Sequence, residues 1–181
     1  MTNKKEIIAG IVIIGNEILS GRTQDTNTGT ISIWLNSLGI RVQEVRIIPD
    51  IEKTIVNTIN EFRKKFSYVF TSGGIGPTHD DITASSISNA FGLKYGPHKE
   101  AFSILKKYYN EGEFSEGRQK MAWMPEGAKL ILNPSSGAPG FFVENVFCLP
   151  GVPSILKSML GGISNILVGG EPILKYSQMY H

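Results

Sequence analysis

The sequence is short of the residues on which several classes of protein depend. It contains a single cysteine, Cys148, in 181 residues, which excludes a disulfide framework. Cys148 lies in the apolar run 146–149, so we interpret it as a core residue and not as a nucleophile. A lone thiol fits a reducing compartment, and we expect a cytoplasmic protein. A chain of this length buries about 70% of its unfolded surface and needs no disulfide or structural metal to fold.

Long apolar runs and an excess of one charge are missing as well. No stretch reaches the roughly 18 apolar residues of a membrane-spanning helix, and residues 1–6 do not resemble a signal peptide. The net charge of +2 provides no basic excess for a nucleic acid or a membrane surface. We therefore expect neither of these partners. Without repeats or low-complexity segments, the chain is expected to form one domain over residues 1–181.

The order of the apolar segments predicts an α/β fold. Residues 7–14 are continuously apolar and β-branched, which is typical of a strand buried on both faces. Residues 40–48 alternate between apolar and polar and predict a strand with one wetter face. Residues 66–70 predict a third strand. Each strand is followed by a helical pattern, and the order βαβαβα is typical of a parallel, doubly wound sheet.

The second half of the chain predicts shorter elements. In order, we expect a break at residues 95–98, a helix over 100–109, a short helix over 118–124 that ends at Pro125, a strand over 128–132, a hairpin over 141–149 around Glu144 and Asn145, and a helix that begins near Pro153. Proline suits the first turn of a helix. His98 and His181 have no recognisable partners, and we expect both on the surface.

A glycine-rich turn joins the third strand to the next helix, with the sequence Thr-Ser-Gly-Gly-Ile-Gly-Pro-Thr-His-Asp-Asp-Ile-Thr at residues 71–83. Gly73, Gly74 and Gly76 would let a phosphate approach the main chain. The first N–H groups of the helix that begins near Ile82 would favour negative charge. The spacing matches neither a Walker A loop nor G-x-G-x-x-G. From the motif alone, a phosphate site and a structural turn both remain open.

Five acids are expected at one edge of the predicted sheet, where strands end and ligands of α/β folds gather. These acids are Glu17, Asp25, Asp50, Asp80 and Asp81. Each also has an ordinary interpretation, since Asp25 and Asp50 could cap helices and Glu17 could be a solvated loop acid. We predict that Asp50, Asp80 and Asp81 cluster at the start of the helix after the motif. Such acids repel one another unless a cation or a metal–phosphate unit offsets them.

Several stretches taken together resemble one family. They are Gly-Asn-Glu-Ile-Leu-Ser-Gly at 15–21, Asp-Thr-Asn at 25–27, Asp50, the glycine-rich motif, Asn133 with Gly-Ala-Pro-Gly at 137–140, and Leu-Pro-Gly-Val-Pro at 149–153. In this order they resemble the molybdopterin-binding-like domain shared by MoaB, MogA and the N-terminal half of the CinA (competence/damage-inducible) family. The Gly-Pro-Thr-x-Asp-Asp spelling, combined with the last two stretches, is specific to the CinA branch. The resemblance covers residues 6 to about 165, and the tail is too short for the C-terminal amidase domain of CinA.

The resemblance implies a three-layer α/β/α sandwich with a mostly parallel sheet. In MogA-type relatives the domain binds and adenylylates molybdopterin with two acids that match Asp50 and Asp81, which are thereby implied as catalytic. In CinA-type relatives the domain is a metal-dependent pyrophosphatase acting on ADP-ribose. This resemblance implies that Asp80 and Asp81 are ligands of Mg²⁺, Mn²⁺ or Co²⁺. Relatives form dimers or trimers, and we expect a homo-oligomer. The sequence adds that Phe141, Phe142 and Trp123 exceed what one small core needs.

The resemblance also implies which residues bind the substrate or its phosphate. They are Gly15, Asn16, Glu17, Asp25, Asn27, Ser72, Gly73, Gly74, Gly76, Pro77, Thr78, Thr83, Asn133, Gly137, Ala138, Pro139, Gly140, Pro150 and Gly151. Because the loops follow strands at one sheet edge, we predict that residues 133–140 border the same cleft as residues 73–78.

Three functions follow as hypotheses. The leading one is metal-dependent hydrolysis of a nucleotide diphosphate such as ADP-ribose. The second is molybdenum-cofactor biosynthesis, by binding or adenylylating molybdopterin. The third is a module that binds a nucleotide or pterin without catalysis.

Overall fold

A computed structural model describes residues 6–169 of the chain. In chain order, its elements are β1 (Ile8–Ile14), α1 (Asn16–Leu19), α2 (Asn27–Ser37), β2 (Arg41–Ile48), α3 (Glu52–Lys65), β3 (Tyr68–Ser72), α4 (Thr83–Phe91), β4 (Tyr95–Pro97), α5 (Lys99–Tyr108), α6 (Glu116–Lys120), β5 (Trp123–Pro125), β6 (Lys129–Ile131), β7 (Gly140–Val143), β8 (Val146–Leu149) and α7 (Pro153–Leu160). Over these residues, no helix has the length and apolar character needed to cross a membrane.

The main sheet has six strands in the order β2-β1-β3-β8-β7-β6, and β4 and β5 form a separate pair. Strands β2, β1, β3 and β8 are parallel, while β7 runs antiparallel to both β8 and β6. Five strands, all except β7, therefore end at the same edge of the sheet. Because β2 and β3 lie on opposite sides of β1, the winding reverses between β1 and β3. Ligands of open α/β sheets bind in the crevice at such a point.

Helices cover both faces of the sheet, as the alternation of side chains along β1 shows. Val12 and Ile14 pack in one hydrophobic cluster with residues of α3, α4 and α5. Ile11 and Ile13 pack in a second cluster with residues of α2 and α7. The predicted three-layer α/β/α sandwich with a mostly parallel sheet is therefore confirmed.

The lone thiol lies in the core, as the sequence predicted. Cys148 is fully buried in β8. Burial raises the pKa of its thiol to about 12, so the reactive thiolate is suppressed. The interpretation of Cys148 as a packing residue is confirmed.

The segment from residue 95 to residue 125 differs from its prediction. The expected break at 95–98 contains β4, which pairs antiparallel with β5. The helix expected over 118–124 is the shorter α6, and β5 takes up its last residues. The loop expected at 15–22 likewise contains α1. Strands of three residues and single helical turns are too short to show a period in sequence.

His98 is not the unpartnered surface residue that we expected. Its Nδ1 accepts a hydrogen bond from the N–H of Ala101 at 3.2 Å, so the ring caps α5. Its Nε2 lies 3.1 Å from the carbonyl oxygen of Ala128, to which it donates. These two bonds require the neutral tautomer with the proton on Nε2. His181 lies outside the described residues.

Two of the three aromatic residues that were expected to exceed the needs of the core belong to it. Phe141 is 2% exposed, and Phe142 packs against the second cluster with its ring stacked on that of Phe147. Trp123 alone remains partly outside, with 39% of its surface exposed. The expected homo-oligomer stays a prediction.

Glycine substitutions test the packing of β1. A Cβ atom on Gly10 would lie 2.5 Å from a ring carbon of Phe66 and 2.6 Å from one of Phe62, and both rings are buried. We expect Gly10→Ala to destabilise the fold by about 1–3 kcal/mol, because overpacked cores must shift their backbone or side chains. Thermal unfolding of the purified variant measures the effect.

The matched control is Gly29→Ala, which adds the same methyl group to the exposed face of α2. No atom lies within 4 Å of a Cβ at that position, and alanine favours the helix by about 0.5–1 kcal/mol. We expect this variant to melt at a higher temperature than the wild type. A Gly10→Ala variant as stable as the wild type would show that the β1–α3 contact is looser than described.

Candidate functional site

A cleft of about 530 Å³ opens at the edge where the parallel strands end. Its volume lies in the range of small-molecule sites, about 300–1,000 Å³. Of the residues predicted for the site, those that line the cleft are Glu17, Gly73, Gly74, Gly76, Pro77, Asp81, Asn133, Ala138, Pro139, Pro150 and Gly151. The prediction that residues 133–140 border the same cleft as residues 73–78 is confirmed for Asn133, Ala138 and Pro139. Gly137 and Gly140 belong to that segment but do not line the cleft.

The glycine motif turns sharply where β3 ends. Gly73 and Gly74 have φ angles of 102° and 74°, which side-chain-bearing residues rarely adopt. A Cβ atom on Gly73 would collide with the carbonyl oxygen of Ile14, and one on Gly74 with the side chain of Thr83. The hydroxyl of Thr83 donates to the carbonyl oxygen of Gly73 at 2.9 Å. The first residue of α4 thus holds the turn in place.

Some of the backbone donors expected for a ligand are already used by the protein. The N–H of Thr83 donates to the carbonyl oxygen of Gly74, and the N–H of Thr78 donates to Asp81. By contrast, no acceptor within residues 6–169 pairs with the successive N–H groups of Gly74, Ile75 and Gly76. All three residues are half-buried and line the cleft. Consecutive N–H groups of this kind form an anion-binding concavity.

Asp81 closes the second part of the motif. Its Oδ2 accepts hydrogen bonds from the N–H and the hydroxyl of Thr78, at 2.9 and 2.8 Å. A Cβ atom placed on Gly76 would lie 2.9 Å from this same oxygen. The carboxylate therefore stands beside the three unpartnered N–H groups. It both shapes the turn and faces the cleft.

Lys120, which sequence reasoning missed, braces this turn from α6. Its Nζ donates to the carbonyl oxygens of Thr78 and Asp81, each at 3.1 Å. The ammonium group thus bonds to the main chain of the turn, and its Nζ makes no ion pair with the carboxylate of Asp81 among the described residues. A single lysine on a five-residue helix gives no signal in a sequence, because the contact joins residues about forty positions apart.

Asp50 links the loops that follow β1 and β2. Its Oδ2 accepts from the N–H of Asn16, and its own N–H donates to Oδ1 of Asn16, each at 3.1 Å. Burial raises the pKa of Asp50 above the ordinary aspartate value of 3.8, and the charges of Glu17, Asp81 and Asp80 add to the rise. The bond from Asn16 opposes it. Asp50 therefore lies within electrostatic reach of the cleft acids without lining the cleft.

Asp25 serves the start of α2, as its alternative interpretation predicts. Its Oδ1 accepts from the N–H groups of Asn27 and Thr28, and its Oδ2 accepts from the hydroxyl of Thr28. Both carboxylate oxygens are thus engaged within the protein. The geometry makes Asp25 a helix cap beside the cleft.

Asn27 is a buried brace beneath the cleft. It is 6% exposed, and its Nδ2 donates to Ser72 Oγ and to the carbonyl oxygen of Gly151, both at 2.9 Å. Its Oδ1 has no partner within the described residues. Asn27 lines a narrow side pocket of about 50 Å³, which has room for one or two water molecules.

Asn133 organises the second glycine loop in a similar manner. Its Oδ1 accepts from the N–H groups of Ser135 and Ser136, and its Nδ2 donates to the carbonyl oxygen of Ala138 at 2.9 Å. These bonds fold residues 133–138 into a tight turn at the cleft. Gly137 has a φ of 79°, and its Cα packs against the ring of Tyr108. The residues predicted for this loop therefore shape the wall, and only some face the ligand space.

The predicted acids lie close enough to act on one another, since the charges of Glu17, Asp81 and Asp80 add to the raised pKa of Asp50. Within residues 6–169, no group of three or more His, Cys, Asp or Glu side chains could hold a metal ion, so these acids do not form a ready-made metal site by themselves. The side chain of Asp80 is 80% exposed and lies 3.4 Å from His79 Nε2. Asp80 and Asp81 as ligands of a metal stay a prediction. Mg²⁺ is often held by one or two carboxylates together with substrate phosphates, and Asp81 and Glu17 in the cleft fit that shared arrangement.

Comparison with known proteins agrees with this geometry. The model of the family described as probable molybdopterin binding domain matches residues 10–169. Protein PH0439 of Pyrococcus horikoshii is 34% identical over 168 residues, which are 85% of this chain and 66% of that protein. Protein LS215_2186 of Saccharolobus islandicus is 37% identical over 175 residues, 93% of this chain and 66% of that protein. The chain thus spans just under two thirds of the length of these curated relatives.

Solved structures show the same fold. The structure of the protein CinA with unknown function from Thermoplasma acidophilum has a TM-score of 0.81 and 31% identity, and the match covers 88% of this chain and 98% of that one. The molybdopterin biosynthesis enzyme MoaB of Thermus thermophilus has a TM-score of 0.58 at 16% identity, over 92% of this chain and 99% of that one. The tungsten cofactor synthesizing protein MoaB of Pyrococcus furiosus has a TM-score of 0.57 at 24% identity, over 89% of this chain and 92% of that one.

The raised pKa of Asp50 predicts that Asp50→Asn increases the stability of the fold, by an amount that depends on pH. An acid whose pKa is raised by folding stabilises the fold while protonated, below the ordinary value of 3.8. That contribution is lost as the pH rises through the raised value. The amide retains an acceptor for Asn16 and carries no charge. We expect the variant to melt above the wild type at about pH 7, and the difference to vanish at about pH 3, where the wild-type carboxyl is neutral.

Asp80→Asn is the matched control, because this exposed acid should leave the melting temperature unchanged at both pH values. A lower melting temperature for Asp50→Asn at neutral pH would contradict the prediction. It would mean that the hydrogen bond from Asn16 stabilises the charged carboxylate more than burial and the neighbouring acids destabilise it.

Proposed function

The chain belongs to the family of the probable molybdopterin binding domain, as its motifs predicted, and from this premise we propose that its cleft binds a nucleotide diphosphate and hydrolyses the phosphoanhydride bond with a divalent metal. ADP-ribose is the proposed type of substrate. The likeness to CinA of Thermoplasma acidophilum and the Gly-Pro-Thr-His-Asp-Asp spelling at residues 76–81 support a CinA-type role for the domain.

The observation that carries the proposal is the row of three unpartnered N–H groups at Gly74, Ile75 and Gly76. Donors of this kind are pre-oriented towards negative oxygen and need no rearrangement when charge develops there. The positive φ angles of Gly73 and Gly74 produce the turn in which these N–H groups follow one another. A diphosphate is the ligand group that would use several such donors at once.

The acids beside this row suit phosphoanhydride hydrolysis. Asp81 stands next to Gly76, where its carboxylate would orient a water molecule and, together with substrate phosphate and Glu17, hold the metal. The metal would supply charge neutralisation for the phosphates. A water oxygen would bond to phosphorus as the P–O–P bond breaks, and the water proton would pass to a carboxylate. Asp50, with its raised pKa, is the proposed acceptor of that proton.

A second candidate function is a role in molybdenum-cofactor biosynthesis, by binding or adenylylating molybdopterin. Its support is the fold shared with the MoaB structures over about nine tenths of this chain. Adenylyl transfer also makes and breaks phosphoanhydride bonds, so the same N–H groups and the same acid would serve it. The two candidates differ in the ligand that the cleft accepts.

Asp81→Asn tests the catalytic role of the acid in the leading proposal. We expect turnover of ADP-ribose to fall by about 100-fold or more, the size of effect seen when one key charged or donor group is lost. The melting temperature should stay nearly unchanged, because the amide oxygen can still accept from the N–H and the hydroxyl of Thr78. The assay panel comprises ADP-ribose, FAD and molybdopterin, each with Mg²⁺, Mn²⁺ or Co²⁺.

The control variant is Glu100→Gln, which neutralises an exposed acid in the first turn of α5. It should turn over ADP-ribose like the wild type. Full activity of Asp81→Asn, or its failure to fold, would show that the acid is structural. Conversion of molybdopterin and not of ADP-ribose would favour the second candidate, and binding without turnover of any ligand would favour a non-catalytic module.

A further inference from the structure

Trp123 is an exposed aromatic residue whose position the proposed function does not explain. It is 39% exposed at the start of β5, where it pairs with Pro97 of β4. The next residue, Met124, is 2% exposed and packs in the first cluster. Since side chains alternate along a strand, burial of Met124 turns Trp123 outward. The indole is thus held outside the core by the register of the β4–β5 pair.

The indole is held by a second ring. The centroids of Tyr95 and Trp123 are 5.4 Å apart, with 57° between the ring planes. Tyr95 is half-buried. Its ring contacts one side of the indole of Trp123, and the part of the indole that Tyr95 does not cover stays accessible. Two rings on paired strands form a firm apolar platform, which loses little conformational freedom when a ligand binds.

The platform faces the glycine motif. Trp123, Tyr95 and Lys120 line a recess of about 10 Å³ together with Gly74, Gly76 and Asp81. This volume holds about one water molecule, so a ligand ring would lie over the open side of the recess, against the exposed indole. Gly74, Gly76 and Asp81 also line the cleft. The recess and the cleft are therefore one continuous surface, with the unpartnered N–H groups at their junction. A ligand whose phosphate sits on those N–H groups has the platform next to it.

We propose that Trp123 and Tyr95 form the subsite for the flat heterocycle of the ligand, the adenine of a nucleotide or the pterin of molybdopterin. A phosphate gains little from an indole face, whereas a planar aromatic heterocycle gains apolar contact and stacking there. This inference rests on the proposed function, because it assigns the ring of the same ligand whose phosphates the motif binds. It makes Trp123 a binding residue and gives it no part in bond cleavage.

Binding of ADP-ribose and of ribose 5-phosphate to the full chain separates ring recognition from phosphate recognition. We expect Trp123→Leu to weaken ADP-ribose binding by about tenfold, which corresponds to about 1.4 kcal/mol. Its affinity for ribose 5-phosphate, which has no aromatic ring to stack, should match that of the wild type. Trp123→Phe keeps a stacking face and should stay within about threefold of the wild type for both ligands. Molybdopterin is the parallel probe for a pterin.

Intrinsic fluorescence supplies an independent readout, because the chain has two tryptophans. Trp34 packs edge-on against Phe70, with centroids 5.8 Å apart, away from the recess. ADP-ribose should quench a larger fraction of the fluorescence of Trp34→Phe, in which Trp123 is the remaining indole, than of the wild type, because the emission of Trp34 is not quenched. Ribose 5-phosphate should quench neither. Trp34→Phe is also the control for loss of an indole elsewhere.

Distinct results would overturn the inference. Equal ADP-ribose and molybdopterin affinities of wild type and Trp123→Leu would refute the subsite and leave the proposed function intact. If Trp123→Leu instead changes the sedimentation of the free protein and not ligand affinity, the indole contacts a second copy of the chain. A wild-type protein that binds neither ADP-ribose nor molybdopterin would refute the proposed function and the subsite together. If Trp123→Leu fails to fold, Trp123→Phe and the quenching of Trp34→Phe decide alone.

Discussion

Close contact between the backbones of three strand ends is the constraint on which the site depends. The N–H of Gly73 donates to the carbonyl oxygen of Leu149 at 3.0 Å, and its Cα faces the carbonyl oxygen of Ile14 with no space for a side chain. The ends of β1, β3 and β8 are thereby drawn together. The positive φ angles of Gly73 and Gly74 then turn the chain, and the N–H groups of Gly74, Ile75 and Gly76, which line the cleft, have no acceptor within residues 6–169. The buried amide of Asn27 ties the same region to α2.

The electrostatics of the cleft follow from this backbone arrangement. Acids at the ends of neighbouring strands are brought near one another by the fold. Burial raises the pKa of Asp50, and the charges of Glu17, Asp81 and Asp80 add to the rise. The protein offsets part of the repulsion between these acids with its own groups: Thr78 donates twice to Asp81, and Lys120 places a cation behind the turn. A ligand that brings phosphate needs a cation of its own, since the donors alone do not neutralise it. Shared coordination by phosphate and carboxylate is therefore the arrangement that this donor set fits.

Sequence reasoning was accurate where a segment is long enough to show a hydrophobic pattern, or where the backbone conformation requires a particular residue type. The strands β1 to β3 and the helices between them follow from hydrophobic patterns in segments of five to fourteen residues. Gly73 and Gly74 follow from the φ angles that their turn requires. Sequence reasoning failed where a role is defined by tertiary contact. His98 caps a helix and reaches a carbonyl oxygen thirty residues away, and Lys120 donates to two carbonyl oxygens about forty residues away.

The parts of the site that could be predicted from sequence differ in their proposed role from the parts that could not. Under the proposed function, the phosphate end of the cleft consists of backbone N–H groups, and such donors do not distinguish adenosine from pterin. Discrimination would then come from side chains around these groups, which belong to separate parts of the chain, such as Glu17, Asn133, Val152 and Trp123. The glycine motif can therefore be recognised in the sequence, whereas the side chains that would select the ligand are brought together by the fold.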